Sequence, residues 1–360
     1  MKAGLASTMP AAMEGHGAYN RSSPVQADGL SPAVPLLAQA AGMVGLPPAP
    51  APVVIADYGS SPGRNSLHPM AVAIGVLRER LGPERAISVV HIDLPESDFT
   101  ALFQTLQNEP ESYLKDDSAV FASAIGRSFY QQVLPAGSVT LGWSSWAVQW
   151  LSRVPASIPD QLQVAYSCDP TARASFARQA DADWRSFLTH RGKELCPGGR
   201  LVVLTMALGQ SGDFGYRPVL QAMYAALLDL VEQGFLAKEE VRRMAIPTVG
   251  RSHADLAAPF AGAGSFAGLK LAQLEVFLGE DRTWQDYQRS QDAGAFGAGW
   301  AAFSRASVFP TLAAELDGGT SQRAKDFIER LEAGMAERLV AAPEPALIPL
   351  AKLVLVKDDN

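Results

Sequence analysis

An α/β fold with a mostly parallel sheet and a helical cap is the class this sequence predicts, on three observations. Short apolar runs alternate with amphipathic helical stretches from residue 53 to residue 206. Helical patterning then dominates 213–263 and 293–340. Strand-like runs return at 269–278 and 347–356. Strands separated by helices at this spacing imply βαβ units.

Residues 1–30 are rich in Gly, Ser, Ala and Pro and read as weakly structured. A helix is expected over Pro32–Val44, stopped by the proline-rich stretch 47–52. Val53–Tyr58 reads as a buried strand, followed by a glycine turn and a helix over Ser66–Leu81. Ala86–Ile92 is a second strand closing at Asp93, and Asp98–Gln107 a second core helix. Val139–Trp143 and Arg200–Met206 are expected as the third and fourth core strands. In the second half, Leu269–Leu278 alternates as a strand would, and Leu347–Val356 is expected to return to the sheet edge. The domains that follow are a flexible N-terminal segment (1–30), a ligand-binding α/β core (31–210), a mainly helical cap with a return to the sheet at 269–278 (211–340), and a closing strand (341–360). The charge cluster Lys238–Arg243 reads as a solvated helix face.

Composition narrows the possibilities. The 360 residues carry 30 basic and 37 acidic side chains, a formal net charge of −7, which argues against a general nucleic-acid binder. The longest apolar run, Ala346–Val356, is broken by Pro349 and Lys352 and is far short of the roughly 20 residues of a membrane helix. Two cysteines, Cys168 and Cys196, are too few for a disulfide framework or a four-ligand zinc site. With no signal-peptide-like segment, the expected location is the cytoplasm.

The sharpest local signal is Asp57-Tyr58-Gly59-Ser60-Ser61-Pro62-Gly63, a turn between the first strand and the first core helix. Glycine permits a tight turn and close approach of backbone to ligand, and ligands of such sheets sit beyond the carboxyl ends of the strands. A plain strand-to-helix turn would use the same glycines. Asp93 closes the next strand, where a carboxylate can accept from a ribose diol. A dinucleotide would require Gly-x-Gly-x-x-Gly, and a pyrophosphate would be repelled by Asp57. S-adenosylmethionine has no phosphate and carries two cationic centres, so it suits the acidic turn better.

Five ordered blocks over residues 13–210 resemble the SABATH methyltransferases, which methylate small carboxylic acids and some ring nitrogens. They are Tyr19–Gln26, Ile55–Ser66, Asp93–Phe99, Gly126–Tyr130 with Leu134-Pro135, and Ser144–Pro155. The resemblance implies a Rossmann-like class I methyltransferase sheet with an α-helical cap. It also implies contacts to S-adenosyl-L-methionine from Tyr19, Ser23, Ser60, Asn65, Asp93, Leu94, Ser128 and Phe129, with Asp57 and Gly59 shaping the same pocket. Gln26 and Trp150 fall where the family grips the acceptor carboxylate, and Trp146 and Gln149 where it lines the acceptor pocket. Val219, Leu220, Val249 and Leu347 are further pocket candidates. A homodimer is a possible assembly on the same grounds.

That division of labour is physically sensible. A carboxylic acid with a pKa near ~4 is ionised at neutral pH and needs no general base, only aiming and exclusion of water. An amide and an indole N–H can both donate without taking the charge away. Trp146 and Trp150, four apart, are expected to share a helix face, where plain core packing would also produce them. His91, two residues before Asp93, reads as a strand-end packing residue with the donor site as the alternative, and Met206 as a gap filler. Departures from the family pattern are informative. Pro62 and Gly63 stand exchanged, Trp146 replaces a smaller Tyr, and Glu14 stands where many members carry Lys. Arg242, Met244 and Ala245 replace residues sometimes assigned to magnesium, so no metal is expected. Val249 in place of Tyr implies a more apolar pocket. Transfer to a heterocyclic nitrogen and non-catalytic binding remain rival readings; a nicotinamide-dependent oxidoreductase is disfavoured by the turn.

Overall fold

The structure is a computed structural model that describes residues 29–115, 117–318 and 320–358, so Tyr19, Ser23 and Gln26 lie outside the described residues. Its centre is a seven-stranded sheet formed by β1 (Val53–Tyr58), β2 (Ile87–Asp93), β3 (Val120–Gly126), β4 (Val139–Ser145), β5 (Leu195–Met206), β6 (Leu269–Leu278) and β7 (Pro349–Lys357). The spatial order is β3-β2-β1-β4-β5-β7-β6. The first five strands run parallel, whereas β7 is antiparallel to both of its neighbours. This is the α/β sheet the sequence predicts, and its order reverses at β1, between β2 and β4. Such a switch point leaves a crevice beyond the strand ends.

Parallel strands are covered on both faces, which accounts for their continuous apolar composition. Helices α1 (Val34–Met43), α2 (Arg64–Leu81) and α3 (Phe99–Asn108) serve the first half of the sheet. The long α4 (Pro170–Glu194) starts at Asp169, whose carboxylate accepts from Ala172 N at 2.6 Å, and it leads into β5. After β5 come α5 (Arg217–Glu232), α6 (Lys238–Arg243) and the short α7 (His253–Ala257), and after β6 come α8 (Arg282–Ser290), α9 (Ala293–Ser307), α10 (Phe309–Ala313) and α11 (Ser321–Ala341). Helices α5, α9 and α11 bury Met223, Leu227, Phe296, Trp300, Phe327 and Leu331 in the same cluster as Val53, Ile55, Leu67 and Trp143, so these helices pack onto the sheet's core without a break.

Three expectations are corrected. The sequence reading omits β3: it is the sheet's outer strand on that side, its face half-covered, and Ala122, Ser123, Ala124 and Gly126 give it little β character. β7 does not lie at the sheet edge but between β5 and β6, because Leu350, Ala351, Leu353, Val354 and Leu355 are apolar on both faces and all buried. The cluster at 238–243 is not wholly solvated: the Glu240 side chain is 1% exposed and takes both Arg323 nitrogens, at 2.7 and 2.9 Å.

Candidate functional site

The carboxyl ends of the strands align through the register Asp57 to His91 and Asp57 to Trp143, and Asp93 to Gly126. The turn after β1 is hooked to its neighbour: Gly59 N and Ser60 N both donate to the Ile92 carbonyl, at 2.8 and 3.1 Å. Gly59 has φ of +91°, and a Cβ there would lie 2.3 Å from the Ala147 Cβ. Gly63, at φ of +86°, opens α2 with no side-chain cap, leaving that turn's backbone donors to whatever lies before them. Among the described residues the hydroxyls of Ser60 and Ser61 are buried without a partner. Glycine-lined backbone, uncapped donors and two unsatisfied hydroxyls fit a polar ligand lodged against the turn.

Asp93 holds this loop. Its carboxylate accepts from Ser61 N at 2.6 Å, Leu94 N at 2.7 Å and Ser97 Oγ at 2.7 Å. A carboxylate has about four acceptor positions, so roughly one remains for a ligand hydroxyl rather than the two a diol would use. Burial pushes its pKa up and the nearby Asp57 adds to this, against the three hydrogen bonds that lower it. Asn65, Leu94 and Ser128 are half-buried, in the segments that follow β1, β2 and β3. The buried Phe129 ring packs 4.8 Å from that of Tyr130 and edge-on to Phe187.

Asp57, by contrast, is enclosed by protein. Its Oδ2 accepts from Ser66 Oγ at 2.6 Å and meets His91 Nδ1 at 2.9 Å, while His91 Nε2 lies 2.7 Å from the Tyr113 hydroxyl. A carboxylate only accepts, so Nδ1 carries the proton and Nε2 accepts from Tyr113. Burial, then the Asp57 charge, push the Tyr113 phenol up and keep it a donor. His91 is thus neither plain packing nor a group facing the donor crevice, but the middle of a buried chain behind it.

The Phe129 loop is fixed from below by a second buried network. Arg191 donates to the carbonyls of Phe129 and Gln131 and to Glu194, and Glu194 also accepts from Tyr58 Oη, Val133 N and Leu134 N. The guanidinium lies 4.1 Å from the Tyr58 ring centroid.

On the other side of Gly59 the segment after β4 is a turn, not the helix the sequence reading expects. Trp146 has φ of +53° and donates from its backbone N to Leu204, and Trp150 N returns to the Ala147 carbonyl. The 246–249 segment runs alongside: Leu151 N donates to Pro247 O and Val249 N to Gln149 O. Tyr130 Oη donates to the Trp150 carbonyl at 2.6 Å, linking this turn to the Phe129 loop. Gln149 Oε1 accepts from Thr205 at 3.1 Å, which leaves its amide nitrogen as the donating end.

Trp146, Gln149 and Trp150 form the core wall of a cavity of about 80 Å3 that is partly open to solvent. Val219 and Leu220, two of the pocket candidates read from the sequence, line it as well. Val249 lines a neighbouring cavity with Arg251 and Trp184, and Leu347 is 51% exposed, giving only its carbonyl to Tyr216 N. Sequence reasoning missed Gln163, Met206, Phe214, Tyr216 and Thr248, and the α9 residues Phe303, Ser304 and Ser307. The α9 residues follow an ordinary amphipathic helix pattern, which gives no sign of which face meets a ligand. Gly29 rests on this wall: a Cβ there would be 2.5 Å from Trp146 Cζ2. Among the described residues no three His, Cys, Asp or Glu are grouped to hold a metal.

A model of the SAM-dependent carboxyl methyltransferase family matches residues 7–350. The chain belongs to that family. The family is dependent on S-adenosylmethionine by its own description, and it is the one the five sequence blocks resemble. Methyltransferase LUC1 of Fusarium sp is 32% identical over 248 residues, 68% of this chain and 65% of that protein. Salicylate carboxymethyltransferase of Clarkia breweri is 28% identical over 67% of each chain. The matches to the Fusarium protein and to two Gibberella relatives thus span about 65% of those proteins' lengths. A solved loganic acid methyltransferase with SAH superposes with a TM-score of 0.76 at 21% identity, over 98% of this chain and 99% of that one, which shows the methyltransferase fold.

Proposed function

We propose that this methyltransferase esterifies a small, largely apolar or aromatic carboxylic acid. The observation that carries the reading is the contact of Gly59 with Ala147. It sets the turn after β1 directly against the turn bearing Trp146 and Trp150, which supports a cofactor site at the first turn next to an acceptor site in the apolar cavity. S-adenosylmethionine, when bound, supplies an electrophilic methyl group. Asp93, Ser60, Asn65, Leu94, Ser128 and Phe129 would hold it, with Tyr19 and Ser23 assigned by resemblance. The acid arrives already ionised, so the chain's task is to orient it and keep water away. Trp150 and Gln149 offer N–H donors at the core end of the cavity, and Gln26 is the third donor that the family resemblance assigns. The apolar walls from Val219, Leu220 and Met223 favour a hydrocarbon or aromatic body.

The test is Trp150→Phe, which removes one donor and keeps the ring. Loss of a hydrogen bond to a charged group lowers kcat/KM by roughly 10- to 100-fold while calorimetric binding of S-adenosylhomocysteine is unchanged. Full kcat/KM in Trp150→Phe overturns the clamp. Product lability in mild base separates an ester from an N-methyl product. No described helix is long and apolar enough to cross a membrane. A cytoplasmic homodimer is the proposed setting, supported by the free cysteines and the family resemblance, with light scattering as its check.

A further inference from the structure

The cavity that neighbours the acceptor cavity has no part in the chemistry proposed above. It holds about 230 Å3 and is partly open to solvent. Phe176 and Trp184 of α4, with Val164 and Leu208, give it apolar walls. Arg251 stands in the same wall and is 2% exposed. Its guanidinium lies 5.9 Å from the Trp184 ring centroid and donates to the carbonyls of Val148 at 2.6 Å and Ala180 at 2.9 Å. Trp184 and Ala180 are both wall residues, so the charged end of the side chain is at the cavity.

A cation taken out of water is ordinarily paired with an anion. Arg191, the other buried arginine, has Glu194 at 2.9 Å. Among the described residues Arg251 has no such carboxylate, and its Nε–H is buried without a partner. Asp183, a buried carboxylate of α4, is taken up by Ser152 and Gln179. Burial pushes the Tyr130 phenol up, so the hydroxyl beside Arg251 is neutral. Two exposed carboxylates also line the cavity; Asp181 is held by Arg185 and Asp255 by Ser252, while the exposed Arg173 adds a second positive charge.

We propose that this cavity binds a small organic monoanion, a carboxylate, sulfonate or sulfate ester on an apolar or aromatic body. The anionic group meets Arg251, which spends two of its five N–H donors on the two carbonyls, and the body lies against Phe176 and Trp184. The site is distinct from the acceptor cavity and does not depend on which acid is methylated.

The experiment is calorimetric titration at neutral pH of benzenesulfonate and of benzenesulfonamide, its neutral analogue of similar shape, into protein saturated with S-adenosylhomocysteine. The sulfonate is expected to bind roughly 10- to 100-fold more tightly, the worth of a hydrogen bond to a charged group. Ala177→Trp, at an exposed position of α4 that lines the cavity, fills the space and is expected to weaken the sulfonate at least about tenfold. Leu220→Trp, in the acceptor cavity, is expected to leave it within about twofold. Arg251→Gln is expected to bring the two ligands to equal affinity; if that variant does not fold, the Ala177 and Leu220 variants decide. The proposal is overturned if the sulfonate does not bind, if the two ligands bind alike, if Ala177→Trp binds as the parent does, or if Leu220→Trp loses the sulfonate. None of these outcomes depends on methyl transfer, so the proposed function stands or falls separately.

Discussion

Alanine at position 59 would place a methyl group 2.3 Å from the Ala147 Cβ, on a residue whose φ is +91°. Two costs follow, and they can be separated. A left-handed backbone costs a residue with a Cβ about 1–2 kcal/mol. Carbon atoms prefer about 3.5–4.0 Å, so the two turns must part by more than ~1 Å, and overpacking of that kind costs about 1–3 kcal/mol. Gly59→Ala is thus expected to lose about 2–5 kcal/mol in urea unfolding. It should also weaken S-adenosylhomocysteine binding and lower kcat/KM together, because the displaced turn bears Trp146 and Trp150. Ala147→Gly in the same background removes the opposing methyl and should restore about 1–3 kcal/mol, less ~0.5–1 for the added glycine. The backbone cost stays. A Gly59→Ala protein within ~0.5 kcal/mol of the parent, or a double variant no better than the single one, would refute the contact as the joint between the two halves of the site.

Three further outcomes are expected. Glu194→Gln leaves the Arg191 guanidinium buried without its anion and should cost about 3–5 kcal/mol by urea midpoint, with the Phe129 loop loosened and donor affinity reduced. Burial alone would raise the Glu240 pKa, but hydrogen bonds from Arg323, Ala237 N and Asp317 N outweigh it and hold it at about 2. A lowered folded pKa means stability present above the ordinary carboxylate range and lost as pH falls toward about 2, so Glu240→Gln should be destabilised at pH 7 and indistinguishable from the parent near pH 2 in pH-dependent unfolding. His91→Leu strips partners from Asp57 and Tyr113 at once and should cost about 2–4 kcal/mol in thermal unfolding. Retention of parental stability would show the buried chain to be dispensable.

Much of the core was legible because its local signals and its packing agree. Val53–Tyr58 and Leu269–Leu278 have the limits in the structure that their apolar patterns predict. Asp93 lies where a strand-end carboxylate should, and Trp146, Gln149 and Trp150 meet in one cavity. What failed has physical causes. β3 uses small residues on a half-covered outer strand, so no apolar run announces it. The place of β7 depends on long-range pairing, although its two-faced apolar run is what an interior strand carries. Trp146 and Trp150 have helical spacing, yet the left-handed φ at Trp146 and pairing with 247–249 make a turn. The cap wall was illegible because a helix stripe facing a ligand and one facing a core have the same period.

The position of β7 also governs the order in which the molecule can be completed. β5 and β6 both precede β7 in the chain; β5 already pairs with β4, but β6 has no strand neighbour until β7 lies between them. Removing Pro349–Lys357 would leave β6 without a strand partner and β5 with an open edge.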